Sequence, residues 1–201
     1  MAGVPARRAL LLGGAAALAG TVAARSAAAQ TEHAVFTELS PANKLMKPGW
    51  NTRVFTDTDS RKGNSIQCDF TTGIVTLAPG AYHLTGFSMV TYNGTVPPEM
   101  TEIRAPASAG YCRLRVFDPA AVIDPTDLHA IDNSDPKVIC VGNPSTPNMT
   151  PSLFDGHYET DKTAQILLEH QSGTTPEQIY LRVFVENSKW HAFARINIER
   201  H

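Results

Sequence analysis

Residues 71–92 read TTGIVTLAPGAYHLTGFSMVTY, two β-rich runs on either side of Pro79-Gly80. Proline donates nothing to a sheet ladder, and a glycine after it supplies free dihedrals, so the pair marks a corner between strands. Before the corner, Ile74, Thr76 and Ala78 share one parity and Val75 and Leu77 the other. After it, Tyr82, Leu84 and Gly86 share one face, and Ala81, His83, Thr85 and Phe87 the opposite one. The phases blur at Gly86-Phe87, where a bulge is expected. His83 frames the chemical question. It is either a metal ligand in a barrel or a polar residue on a structural sandwich.

The same texture runs through most of the chain. Short runs rich in β-branched and aromatic residues recur between Gly, Pro, Asn and Asp: HAVFTEL, TRVFTDT, SIQCDF, YCRLRVF, KVICVG, TAQILLEHQ, QIYLRVFVEN and WHAFARINIE. In WHAFARINIE, Trp190, Ala192, Ala194, Ile196 and Ile198 fall on one side, as in an antiparallel sheet with one wet face. Helical periodicity is weak, with one short turn expected near Thr126 to Ala130. The expectation is an all-β, antiparallel jelly-roll sandwich of about ten strands, because a strand-only chain must bury one face of each sheet against another. It forms a single domain over residues 30–201, with a long proline-rich connection over about 96–152.

Residues 1–29 read as an export signal: Arg7-Arg8, an apolar run of Leu, Ala and Gly, then Ala27-Ala28-Ala29 as a small-residue cleavage site. The arginine pair resembles a twin-arginine (Tat) signal. A periplasmic or secreted location follows, with no membrane span in the mature chain. Removing Arg7, Arg8 and Arg25 takes Lys+Arg from 17 to 14 against 19 acids, a net charge of −5. Such a chain, without basic runs, is a poor partner for nucleic acid.

The pattern Gly73-x-Val75-x-Leu77-x-Pro79-Gly80-x-Tyr82-x-Leu84-x-Gly86, followed by Phe87, resembles the central hairpin of the complement/tumour-necrosis-factor-like jelly-roll superfamily. The closing KWHAFARINI is similar in kind to the last strand of that fold. Leu84 and Gly86 stand where that superfamily usually has aromatics. The resemblance implies an exported jelly roll, a homo-oligomer and specifically a trimer, that binds a protein or glycan partner rather than transforming a substrate. Gly73, Pro79, Gly80 and His83 also resemble the second cupin motif, which implies a metal-dependent β-barrel enzyme exported in folded form. There the Gly-His part sits one position early, and Phe87 replaces the terminal Asn. The first cupin motif is absent.

Candidate sites are few. His83, His170 and His191 make a metal set if their strands adjoin. Asp155, Glu159 and Asp161, in the polar segment FDGHYETD, make a calcium set on a solvated loop. Apart from such an ion no cofactor is expected. Cys68, Cys112 and Cys140 allow one disulfide of undetermined pairing. Trp50, Tyr92, Tyr111, Tyr158 and Trp190 can stack on sugars if gathered, the basis of a carbohydrate-binding alternative. No Gly-x-Ser-x-Gly elbow or phosphate-cradling glycine loop occurs, so no catalytic residue is assigned.

Overall fold

In the computed structural model, alternation sorts side chains into two sheet layers. The described residues are 31–92, 110–120, 137–147, 150–172, 179–184 and 191–201. The expected signal segment, the helical turn near residues 126–130 and Trp190 lie outside them. Thr31–His201 clusters as one compact unit. Among the described residues no helix is long and apolar enough to cross a membrane.

Fourteen strands occur among the described residues: β1 (Glu32–Glu38), β2 (Lys44–Leu45), β3 (Asn51–Thr52), β4 (Asp57–Lys62), β5 (Ile66–Cys68), β6 (Val75–Leu77), β7 (Gly80–Ser88), β8 (Thr91–Tyr92), β9 (Tyr111–Val116), β10 (Val138–Val141), β11 (Ser152–Thr160), β12 (Ala164–Gln171), β13 (Ile179–Arg182) and β14 (Ala194–Arg200). The first sheet has the order β11-β7-β14-β1-β4 and the second β10-β9-β12-β6-β5, with β3 added on β12. A small third sheet runs β2-β13-β8. Among the described residues every strand pairing is antiparallel. The chain passes repeatedly from one main sheet to the other, and its first and last strands pair, as in a jelly roll.

Three details differ from the sequence reading. Pro79-Gly80 joins no hairpin, because β6 and β7 belong to different sheets, so the corner carries the chain across the sandwich. No bulge occurs at Gly86-Phe87, and the register of β7 with both neighbours runs unbroken. Gly86 serves close packing instead. A Cβ there would lie 2.0 Å from the Arg195 carbonyl oxygen and 2.7 Å from the Phe154 ring. All of the segment FDGHYETD except its last residue, Asp161, lies in strand β11 rather than in a loop, at the edge of the first sheet.

The inner layer joins Ala34, Phe36, Tyr82, Leu84, Phe154, Ala194, Ile196 and Ile198 to Ile66, Val75, Leu77, Cys112, Leu114, Ile166 and Leu168. Burial of each large apolar side chain contributes about 1.5–3 kcal/mol, so this layer supplies the main driving force. The fully buried Arg53 closes the polar part of the interior. Its guanidinium donates to Glu38 Oε2 at 3.2 Å, to the Leu181 carbonyl at 2.6 Å, to Ser88 Oγ at 2.8 Å and to the Met89 carbonyl. Glu38 also holds Arg182 at 2.5 Å.

The network extends to His170, which is wholly buried. Ser88 Oγ lies 2.8 Å from His170 Nδ1, and Ser145 Oγ lies 3.4 Å from Nε2. Arg53 can only donate, so Ser88 accepts from it and turns its own hydrogen to Nδ1. The imidazole is then neutral with its proton on Nε2, donating to Ser145, whose hydroxyl donates to the Gly110 carbonyl at 3.2 Å. Burial, with a smaller contribution from the Arg53 charge, holds His170 well below the ordinary imidazole value of 6.5.

The unfolded chain takes up this proton below about pH 6.5 and the folded chain does not, so the unfolded state binds more protons there. Stability is therefore full above that pH and is expected to fall by up to about 1.4 kcal/mol per unit as pH drops from 6.5 toward 5. Urea unfolding across this range measures it. A His170→Gln variant is expected to be less stable at pH 7.5 and to have a flatter profile. A wild-type midpoint that stays constant from pH 7.5 to 5 contradicts the assignment.

Candidate functional site

The outer face of the first sheet is built by the parity opposite to the core. Along β11 the inward Phe154 alternates with the outward, exposed Asp155, His157 and Glu159. Along β7, Tyr82 and Leu84 turn inward while His83 and Thr85 turn outward. Register then places residues in rows. His157 lies opposite His83, His83 opposite Glu199, Glu199 opposite His33, and His33 opposite Lys62, a row of ionisable side chains across all five strands.

At the β7–β11 end of this row the ring of His83 stacks on His157, with centroids 4.7 Å apart and planes 13° apart. His83 Nε2 lies 3.0 Å from Asp155 Oδ1. One ligand atom from each of His83, Asp155 and His157 falls within 4.8 Å of the other two. The Asp155 side chain is 70% exposed and that of His83 30%. A shallow depression of about 220 Å³ adjoins, lined by Ala81, Tyr82, His157, Tyr158, Glu159 and His201.

The histidine set read from the sequence is not brought together. His83 faces solvent on the first sheet and His170 is sealed between the layers. The exposed His191 precedes β14, eight residues from Glu199, which is the partner of His83 in register. The calcium set fails on strand geometry. Asp155 and Glu159 lie on one extended strand, four residues or roughly 13 Å apart, too far to share an ion with ligands at 2.3–2.6 Å. His157, which sequence reasoning left aside, replaces His170 and His191 as the partner of His83. The signal for it is the alternation in FDGHYE, with Asp155, His157 and Glu159 on the side opposite Phe154 and Tyr158.

All three cysteines are free thiols, so no disulfide forms between any pair of them. Burial raises Cys112 to about 11 and Cys68 and Cys140 to about 12, which keeps them protonated and poorly nucleophilic. The Ser88–His170 pair has the spacing of an activated nucleophile, but both residues are fully buried. Apolar side chains fill the space between the sheets, where a cupin would hold its metal. The aromatic platform is not assembled either. Trp50 is buried, with the Arg113 guanidinium 3.9 Å above its ring, and Tyr158 packs against the core. Arg113 and Arg115 both bind Glu169, at 2.9 and 2.8 Å, in a second buried charge cluster.

No family model matches the chain, and no curated protein does. Among solved structures it is similar to murine APRIL, a jelly roll of the tumour-necrosis-factor family. The crystal forms at pH 5.0 and pH 8.0 align with a TM-score of 0.48, and the form at pH 8.5 with 0.43. In each case identity is 8%, and the alignment covers 86% of this chain and 100% of the other.

Proposed function

We propose that this protein is an exported, non-enzymatic jelly-roll protein that works as a homo-oligomer, a trimer, and binds a protein or glycan partner through its sheet surfaces. One observation carries the reading. Among the described residues the Ser88–His170 pair and the three thiols are locked in the interior or held protonated, whereas His83, Asp155 and His157 stand together on an open sheet face. The depression beside His157, about 220 Å³, falls below the range of roughly 300–1,000 Å³ usual for small-molecule pockets. A flat face with scattered polar groups suits recognition of a macromolecule.

The oligomeric part rests on the resemblance of residues 73–87 to the superfamily strand, and on Leu153, 56% exposed and paired in register with Phe87 on the outer face. Apolar surface of this kind is covered when chains associate. Export to the periplasm or beyond rests on Arg7-Arg8 and the small residues before Gln30. The metal-enzyme alternative loses support because Leu84, Leu114 and Ile166 fill the barrel interior it needs.

Light scattering on the size-exclusion peak of residues 30–201 is expected to give the mass of three chains at micromolar concentration. A single-chain mass contradicts the oligomer. Replacing Arg7 and Arg8 with Lys is expected to leave unprocessed protein in the cytoplasm, whereas unchanged export excludes the twin-arginine route.

A further inference from the structure

We propose that His83, Asp155 and His157 form a surface site for a divalent transition-metal ion of borderline softness, of the Zn²⁺ class. Two imidazoles and one carboxylate are the ligand types such ions take, whereas calcium requires six to eight oxygens. The backbone fixes the arrangement. His157 and His83 are direct cross-strand partners, which sets their Cβ atoms about 4.5–5.5 Å apart, and Asp155 lies two residues along the same face of β11.

A tetrahedral ion with bonds of about 2.0–2.1 Å needs donor atoms about 3.3 Å apart. The His83–Asp155 pair already stands at 3.0 Å, and all three ligand atoms lie within 4.8 Å. The remaining closure is a side-chain rotation of the stacked rings toward a common point. Packing barely resists it, since Asp155 and His157 are exposed.

The surroundings favour a cation. On this face the nearest row neighbours, Ala81, Thr85, Glu159 and Glu199, carry no positive charge, and two are carboxylates. Glu199 lies opposite His83 in register, where it can orient the second ring nitrogen, as carboxylates commonly do for histidines that bind metals. Three protein ligands leave a fourth position toward solvent, so the bound ion presents an open coordination site on the sheet surface. A carboxylate, an imidazole or water can fill it.

Calorimetric titration of EDTA-stripped mature protein with ZnCl₂ at pH 7.5 tests the proposal. The expected result is one Zn²⁺ per chain, with a dissociation constant of about 10 μM or tighter. His83→Ala and His157→Ala are each expected to weaken binding by at least about tenfold, and Asp155→Asn to weaken it as well. His33→Ala and His191→Ala are expected to leave it unchanged. These side chains lie at the surface, so circular dichroism of the variants should match the wild type. Binding weaker than about 10 μM overturns the site, as does binding that survives the double His83→Ala/His157→Ala change. Preferential uptake of Ca²⁺ from CaCl₂ by the same residues also overturns it. Chain mass is measured separately, so failure of this site and failure of the oligomer are told apart.

Discussion

A single buried guanidinium ties the parts of this molecule together. Arg53 leaves the short strand β3 on the second sheet and reaches β1 through Glu38, the end of β7 through Ser88 and Met89, and β13 of the small sheet through Leu181. Through Ser88 it also fixes the imidazole of His170 on β12. A fully desolvated charge is tolerated only when its donors are met, and removing one partner of such a pair costs about 3–5 kcal/mol. The Arg53 donors find two carbonyls, a hydroxyl and a carboxylate. The apolar layer supplies the bulk of the stabilisation, but it is not directional. The Arg53 bonds are directional and link β1, β7 and β13.

The same burial takes several reactive groups out of reach of solvent. Here the Ser–His pair spends both ring nitrogens on structural hydrogen bonds, and the three thiols are raised by burial. Glu169 between Arg113 and Arg115 is likewise absorbed in packing. On the outer face of the first sheet the exposed Asp155 and His157 and the half-buried His83 lie side by side.

Much of the fold was legible because strand parity is local information. The pattern puts Leu84 and His83 on opposite faces and Ile196 and Ile198 on one, and the structure turns the Leu84 and Ile faces inward and His83 outward. The misreadings have physical causes. β11 passed for a loop because Gly156 interrupts its apolar side, although Phe154 and Tyr158 keep the phase around it. The edge strand β4, DTDSRK, carries almost no apolar residue, since its pairing with β1 rather than burial holds it in place. Gly86 looked like a bulge, but it marks a close approach to Arg195 that no sequence pattern announces. The pairing of Ser88 with His170 spans 82 residues, and that of His83 with His157 depends on two strands meeting far apart in sequence. Histidine spacing could not have supplied either contact.

The two sheets act as one cooperative body, stitched by the apolar layer and by Arg53. Native-state hydrogen exchange measures this directly. The central strands β14 of the first sheet and β12 of the second are expected to exchange only by global unfolding, with a common free energy equal to that from urea denaturation. Exchange of one central strand well below that value, with the other still protected, would mean that the sheets open independently and would contradict the account.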